Sequence, residues 1–204
     1  MLKIWGRKSS SNVQKVLWCC AELGLAYERE DVGGEFGRND SPEYRALNPN
    51  GVVPTIRDGD LVLWESNVIV RYLSAKYGLG KLCPAGLEAR ADCERWMDWQ
   101  QTTLQGPMGI LFRTYIRKPG ETFPAKEIEG AAKRAGDAWG ILDRQLAGKD
   151  YVTGATLTMA DIVLGNAIHR WFSCPIERPA LANLRAWYDR LGERPDYRTH
   201  ILGK

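Results

Sequence analysis

The chain has 204 residues, 44% hydrophobic and 26% charged, with a formal net charge of +3. That suits one compact domain or two small ones with a real core, and no Lys/Arg block marks the chain for nucleic acid. No apolar run approaches the roughly 18 residues of a membrane span, and the start, Met1-Leu-Lys-Ile-Trp-Gly6, enters a strand pattern without signal-peptide character, so the expected location is cytoplasmic.

Residues 2–5 read as a first strand. A loop rich in capping residues follows, Gly6-Arg-Lys-Ser-Ser-Ser11. Residues 12–23 read as a helix, because Val13, Val16, Leu17, Cys20 and Leu23 recur at spacings of three and four, and Gly24 supplies a C-cap. Residues 27–32 alternate as a second strand. Strand, helix and strand within about 30 residues form a right-handed parallel βαβ unit. Residues 33–40 are a loop. Ser41-Pro42 then caps and opens a short helix that ends at Asn48-Pro49.

The stretch Asn48-Pro-Asn-Gly-Val-Val-Pro-Thr55 leads into a hairpin, residues 55–57 and 61–64, turned by Asp58-Gly59-Asp60. Pro54 lacks an N–H and cannot sit inside a central strand. At the mouth of a hairpin it leaves the N–H and C=O of Val53 free to bond an extended chain laid alongside. Directly after the hairpin, Glu65-Ser66 begins a helix over 67–76. Free N–H groups, a hydroxyl and the positive end of the helix dipole converge there, which suits a carboxylate. Peptide edge and anion pocket together suggest a site for a small acidic peptide.

From residue 79 the composition changes. Gly80, Pro84 and Gly86 mark a linker, taken as 79–86. Residues 87–204 then read as helical: 88–115 with a kink at Gly106-Pro107, followed by 125–146, 158–171 and 180–191. The fold class is therefore α/β plus all-α, a βαβ–ββα domain over 1–78 and a helical bundle after it. Five cysteines, Cys19, Cys20, Cys83, Cys93 and Cys174, occur without C-x-x-C, and His169 and His200 are the only histidines. No metal-ligand spacing is present. Cys19 and Cys20 lie inside an apolar helix and read as small buried hydrophobes.

Ser10-Ser-Asn-Val-Gln-Lys-Val16, the Asn48 to Pro54 stretch with Leu63-Trp-Glu-Ser66, and Thr158-Met-Ala-Asp161 occur in that order, with the domain change between them. Together they resemble the cytosolic glutathione transferases over essentially the whole chain, in particular the serine-type, theta-like bacterial members. The resemblance implies a thioredoxin-like domain followed by a helical bundle, and a transferase that stabilises the glutathione thiolate and directs it onto small electrophiles. It implies Ser10, two residues before Asn12, as the catalytic hydroxyl, with Asn12 as a second donor, while Ser9 and Ser11 read as loop or N-cap residues. Val53 would pair with the cysteinyl unit, with a cis Val53-Pro54 bond. Glu65 and Ser66 would hold the γ-glutamyl end, and Asn50 and Arg38 lie where the glycyl end binds. Trp99, Thr103, Phe112 and Tyr115 would wall a second-substrate site between the domains. Thr158 and Asp161 are structural, as a cap pair.

The resemblance further implies a homodimer through the region of Arg71 and residues 92–99, with glutathione as co-substrate, a small hydrophobic electrophile as partner, and no resident cofactor or metal. Two other readings share the motifs. One is a glutathione-dependent disulfide or peroxide reductase. The other is a non-catalytic binding protein of the same fold.

Overall fold

The computed structural model describes residues 1–117 and 123–204. They divide into two compact units, Met1–Cys83 with Pro195–Lys204, and Pro84–Arg194.

The first unit is built on a four-stranded sheet of order β2-β1-β3-β4. Strands β1 (Leu2–Trp5) and β2 (Tyr27–Glu30) are parallel, as a βαβ unit requires, with α1 (Ser11–Glu22) between them. Gly24 has φ +64°. The bonds Gly24 N–H to Ala21 C=O and Leu25 N–H to Cys20 C=O close α1 in a Schellman turn. Strand β2 ends at Glu30, short of the expected residue 32, and the chain turns into a tight helical turn at Gly34–Phe36. Helix α2 (Pro42–Leu47) starts as the sequence predicts, with Ser41 as its cap. The Ser41 hydroxyl accepts from the Tyr44 N–H at 3.2 Å.

Strands β3 (Thr55–Asp58) and β4 (Leu61–Trp64) form the hairpin, and β3 runs antiparallel to β1 with Ile4 opposite Ile56. Both isoleucines are fully buried, as are Val16 of α1 and Ile69 and Leu73 of α3 (Ser66–Tyr77). Each such side chain contributes roughly 1.5–3 kcal/mol by leaving water. Trp5, one residue on, faces the other side of the sheet, where it packs with Val32, Tyr44, Leu47 and Val53.

The last ten residues belong to this unit, whereas the sequence pattern continues the helical domain to 204. The physical reason is aromatic packing on α1. Tyr197, in the short α9 (Pro195–Tyr197), meets Trp18 edge to face at 4.8 Å, and both rings are fully buried.

The second unit is helical: α4 (Leu87–Trp99), α5 (Gln105–Phe112), α6 (Ala125–Gln145), α7 (Met159–Ser173) and α8 (Ala182–Glu193). Between α4 and α5 the helix does not break at Gly106-Pro107. It widens one turn earlier, over Gln100–Leu104, where the Gln105 N–H reaches the Gln100 carbonyl. Pro107 brings no N–H for the carbonyl four residues back, so the preceding turn takes up the irregularity. Helix α7 is buried on nearly all sides from Met159 to Ile168, and apart from Asp161 and Asn166 the residues of that stretch are apolar or small.

Asp161 organises this unit. It is fully buried, and four donors converge on it: Val152 N–H (2.9 Å), Thr158 N–H (2.9 Å), Thr158 Oγ1 (3.0 Å) and Trp187 Nε1 (3.0 Å). Burial nevertheless pushes its carboxyl up to about 6, with those hydrogen bonds opposing.

Candidate functional site

Gly6 fixes the geometry of the site. It joins β1 to the loop before α1 with φ +149°. A Cβ there would lie 2.4 Å from Val13 Cγ2 and 3.2 Å from Val53 Cβ. Only glycine lets the first turn of α1 and the Val53 side chain close on the same spot. The Ser10 loop and the Val53-Pro54 corner are thereby held side by side.

Ser10 occupies the N-cap position of α1, with extended backbone (φ −81°, ψ 122°), and its carbonyl takes the Gln14 N–H at 2.8 Å. Its hydroxyl makes no capping bond. A half-buried hydroxyl and the first N–H groups of α1 are thus available together to a negative atom. Asn12, two residues on, is exposed, as is Ser9, and Ser11 is the first helical residue.

The Val53-Pro54 bond is cis. The corner is held by a buried polar hub that sequence reasoning left unassigned. Asn48, fully buried, donates to the Val52 carbonyl at 2.8 Å and to Thr55 Oγ1 at 3.2 Å. The Tyr44 hydroxyl donates to the same carbonyl at 2.7 Å and lies 2.8 Å from Thr55 Oγ1. Side chains thus bind the chain on both sides of Val53, while among the described residues none is bonded to the Val53 main chain itself. Asn50 is exposed and turned inward: its N–H and Nδ2 both donate to Asn48 Oδ1, at 3.1 and 3.0 Å. The signal for the hub was present in Asn48-Pro49, but the sequence does not show what a buried amide bonds.

Glu65 has φ +70° and ψ +106°. That conformation is costly for a residue with a side chain. Roughly 1–3 kcal/mol of strain is kept at such a position where the surroundings demand it. Glu65 is exposed, and Ser66 behind it is buried as the first residue of α3. The strained turn holds a carboxylate beside the hydroxyl and N–H groups of a helix start.

Arg38 also has positive φ, at +67°. Its guanidinium donates to Glu30, which Lys3 also holds at 2.9 Å. Lys3, then Arg38, keeps the Glu30 carboxyl below the usual range. Arg38 is therefore committed to Glu30 at the β2 edge. Arg7, not singled out from the sequence, packs its guanidinium on Gly33 and Gly34, where an added Cβ would lie 3.2 and 2.7 Å from it. Lys15 was missed too. It is buried in α1 and donates to Asn67 Oδ1 of α3 at 2.8 Å, tying together the two helices whose starts carry Ser10 and Ser66.

All five cysteines are buried thiols, and none forms a disulfide. Burial pushes the Cys19 thiol up to about 12, and the Cys20 thiol is also raised, so neither supplies a thiolate. Among the described residues no group of His, Cys, Asp and Glu could hold a metal, and no helix is long and apolar enough to cross a membrane.

In the helical unit, Trp99 is half-buried and meets Trp96 edge to face at 5.2 Å. Thr103 is exposed in the widened turn, and Phe112 and Tyr115 are half-buried.

Residues 9–76 match the family described as glutathione S-transferase, N-terminal domain, and residues 125–190 match its C-terminal domain. The chain is 38% identical over 204 residues to glutathione S-transferase GstB of Escherichia coli K12, covering 99% of this chain and 98% of that one. The chain belongs to the glutathione S-transferase family. Glutathione S-transferase 3 of Zea mays is 30% identical over 98% of this chain and 93% of its own. Among solved structures, the theta class glutathione S-transferase of Xanthomonas axonopodis pv. citri with glutathione bound superposes with a TM-score of 0.93 at 49% identity, covering 98% of this chain and 97% of that one. The expected fold, a thioredoxin-like domain with a helical C-terminal domain, is that of this family.

Proposed function

We propose that this glutathione S-transferase family member binds reduced glutathione in its first unit and transfers it, as the thiolate, to small electrophiles. The observation that carries the reading is the Ser10 hydroxyl at the start of α1, which makes no capping bond to the helix. It would donate to the glutathione sulfur, and the helix N-terminus would favour the negative charge. Asn12 would be the second donor. The Val53 main chain would pair with the cysteinyl unit. Ser66 and the α3 N–H groups would take the γ-glutamyl carboxylate, and Glu65 its ammonium. Asn50 lies beside the Val53 corner for the glycyl end. Arg38 could reach that end only by leaving Glu30.

Transfer then needs no enzyme-bound covalent intermediate. The sulfur attacks the electrophilic carbon, the leaving group departs with its electron pair, and the thiol proton passes to solvent. Trp99, Thr103, Phe112 and Tyr115 are proposed for the second substrate. The reading includes a homodimer through the region of Arg71 and residues 92–99, no resident cofactor, and a cytoplasmic location, which five buried thiols without a disulfide suit. Turnover of 1-chloro-2,4-dinitrobenzene with glutathione tests it. Chloride release that requires both protein and glutathione is expected. No acceleration across a panel of aryl halides, epoxides and enones would overturn it.

A further inference from the structure

The sheet register lines up one edge of the first unit. Glu30, Trp5, Thr55 and Trp64 stand in a row across β2, β1, β3 and β4. Beyond that row lie, in the same order, Gly33-Gly34, Arg7, Val53 and Ser66. A tripeptide with its γ-glutamyl end at Ser66 and its cysteinyl unit at Val53 therefore points its glycyl carboxylate toward the β1–β2 flank. An extended residue advances at most roughly 3.6 Å, so that carboxylate falls one residue beyond Val53. Arg7 stands on that side. The point where a Cβ on Gly33 would lie is 3.2 Å from Arg7 Nη1 and 3.5 Å from Val53 Cγ1. Gly33 and Gly34 both have positive φ, +82° and +60°, and a Cβ on Gly34 would lie 2.7 Å from Arg7 Nε. The loop after β2 thus needs both glycines to seat this guanidinium against its backbone.

Two other arginines of this flank are committed: Arg29 to Asp31, and Arg38 to Glu30, which Lys3 shares. The Arg7 side chain is 17% exposed, and among the described residues its ion-pair partner is Glu35, 61% exposed, with Nε 3.7 Å from the carboxylate. That separation exceeds a hydrogen bond, and a well-solvated carboxylate at such a distance contributes little. A guanidinium fork donates two parallel N–H bonds to a carboxylate laid in its plane. We propose that Arg7 binds the carboxylate at the glycyl end of glutathione, so that the first unit selects γ-glutamyl thiol peptides with a free C-terminus over those blocked as amides or esters. The inference rests on the glutathione reading and adds a residue outside the site expected from the sequence. Arg38, held by Glu30, and Asn50, turned to Asn48, leave that end without a free charge of their own.

Calorimetric titration of the full chain compares glutathione with its glycyl monoethyl ester, which differs only in the masked carboxylate. The natural protein is expected to bind glutathione about tenfold more tightly than the ester, the factor for one charge-assisted hydrogen bond. Arg7→Gln should weaken glutathione by about that factor and leave the ester unchanged, so that the ratio falls close to unity. Arg7→Lys should restore part of it, since it returns the charge without the fork. A role for Arg7 in the loop alone would instead weaken both ligands equally. Glu35→Gln, at an exposed position, removes the competing acid and should raise the ratio several-fold; it carries the test if the Arg7 variants do not fold. Equal affinity of the natural protein for both ligands, or a ratio unchanged in the variant that reads it, overturns the inference while glutathione binding stands. Binding of neither ligand overturns the glutathione reading itself, and the inference with it.

Discussion

Val13 in the first turn of α1 and Val53 before Pro54 pack on the same point of Gly6, 2.4 and 3.2 Å from where a Cβ would stand. The contact sets the distance between the helix start that carries Ser10 and the main chain that would pair with glutathione. Gly6→Ala has to push one of them away. It should destabilise the protein by about 1–3 kcal/mol and weaken glutathione binding as well. Urea unfolding and a glutathione titration check the two effects, and an alanine variant that keeps its affinity would separate the site from this contact.

Ser10→Ala removes a hydroxyl that caps nothing, so folding stability should change by less than about 0.5 kcal/mol. Glutathione affinity should be largely kept, while kcat falls on the order of 10²-fold, as for the loss of one preorganised donor. Equal kcat in the variant would take Ser10 out of the chemistry and turn attention to Asn12.

Glu65→Gly relieves the positive φ. The expected outcome is unchanged or slightly raised stability, by about 0.5–1 kcal/mol, with glutathione bound about tenfold more weakly. A combined melting and titration experiment reads both. Undiminished affinity would show that the strained turn serves the backbone alone.

Asp161 gives a pH dependence of known sign. Its folded value, about 6, lies above the unfolded value near 3.8. The folded state therefore holds the extra proton between these limits, and stability from this group is fully present below about 4 and lost as pH rises to about 6. Two units correspond to roughly 3 kcal/mol. The stability of the natural protein minus that of Asp161→Asn should fall by that order between pH 4 and 6 and be flat from 7 to 8. A difference that rises across the window would contradict the assignment.

Much of the first unit was legible because its signals are local. Pro54 announces the hairpin mouth, Ser41-Pro42 a helix start, and Gly24 a helix end. The remainder depends on partners distant in sequence. Nothing near Lys15 reveals that Asn67 will meet it, and an ordinary loop arginine at 38 does not disclose Glu30. Tyr197 looks like the tail of a helical domain until Trp18 is placed beside it. The positive φ of Glu65 carries no residue-type signal, since strain is set by the fold around it. The helix irregularity fell one turn before Pro107 because the missing hydrogen bond belongs to the preceding turn.

The most direct measurement is calorimetric titration of reduced glutathione into the natural protein and Ser66→Ala. One saturable site per chain with a dissociation constant in the millimolar range or tighter, about tenfold weaker for Ser66→Ala, is the expected result. No heat of binding to the natural protein, or identical curves for the two, would contradict the glutathione site at Val53, Glu65 and Ser66.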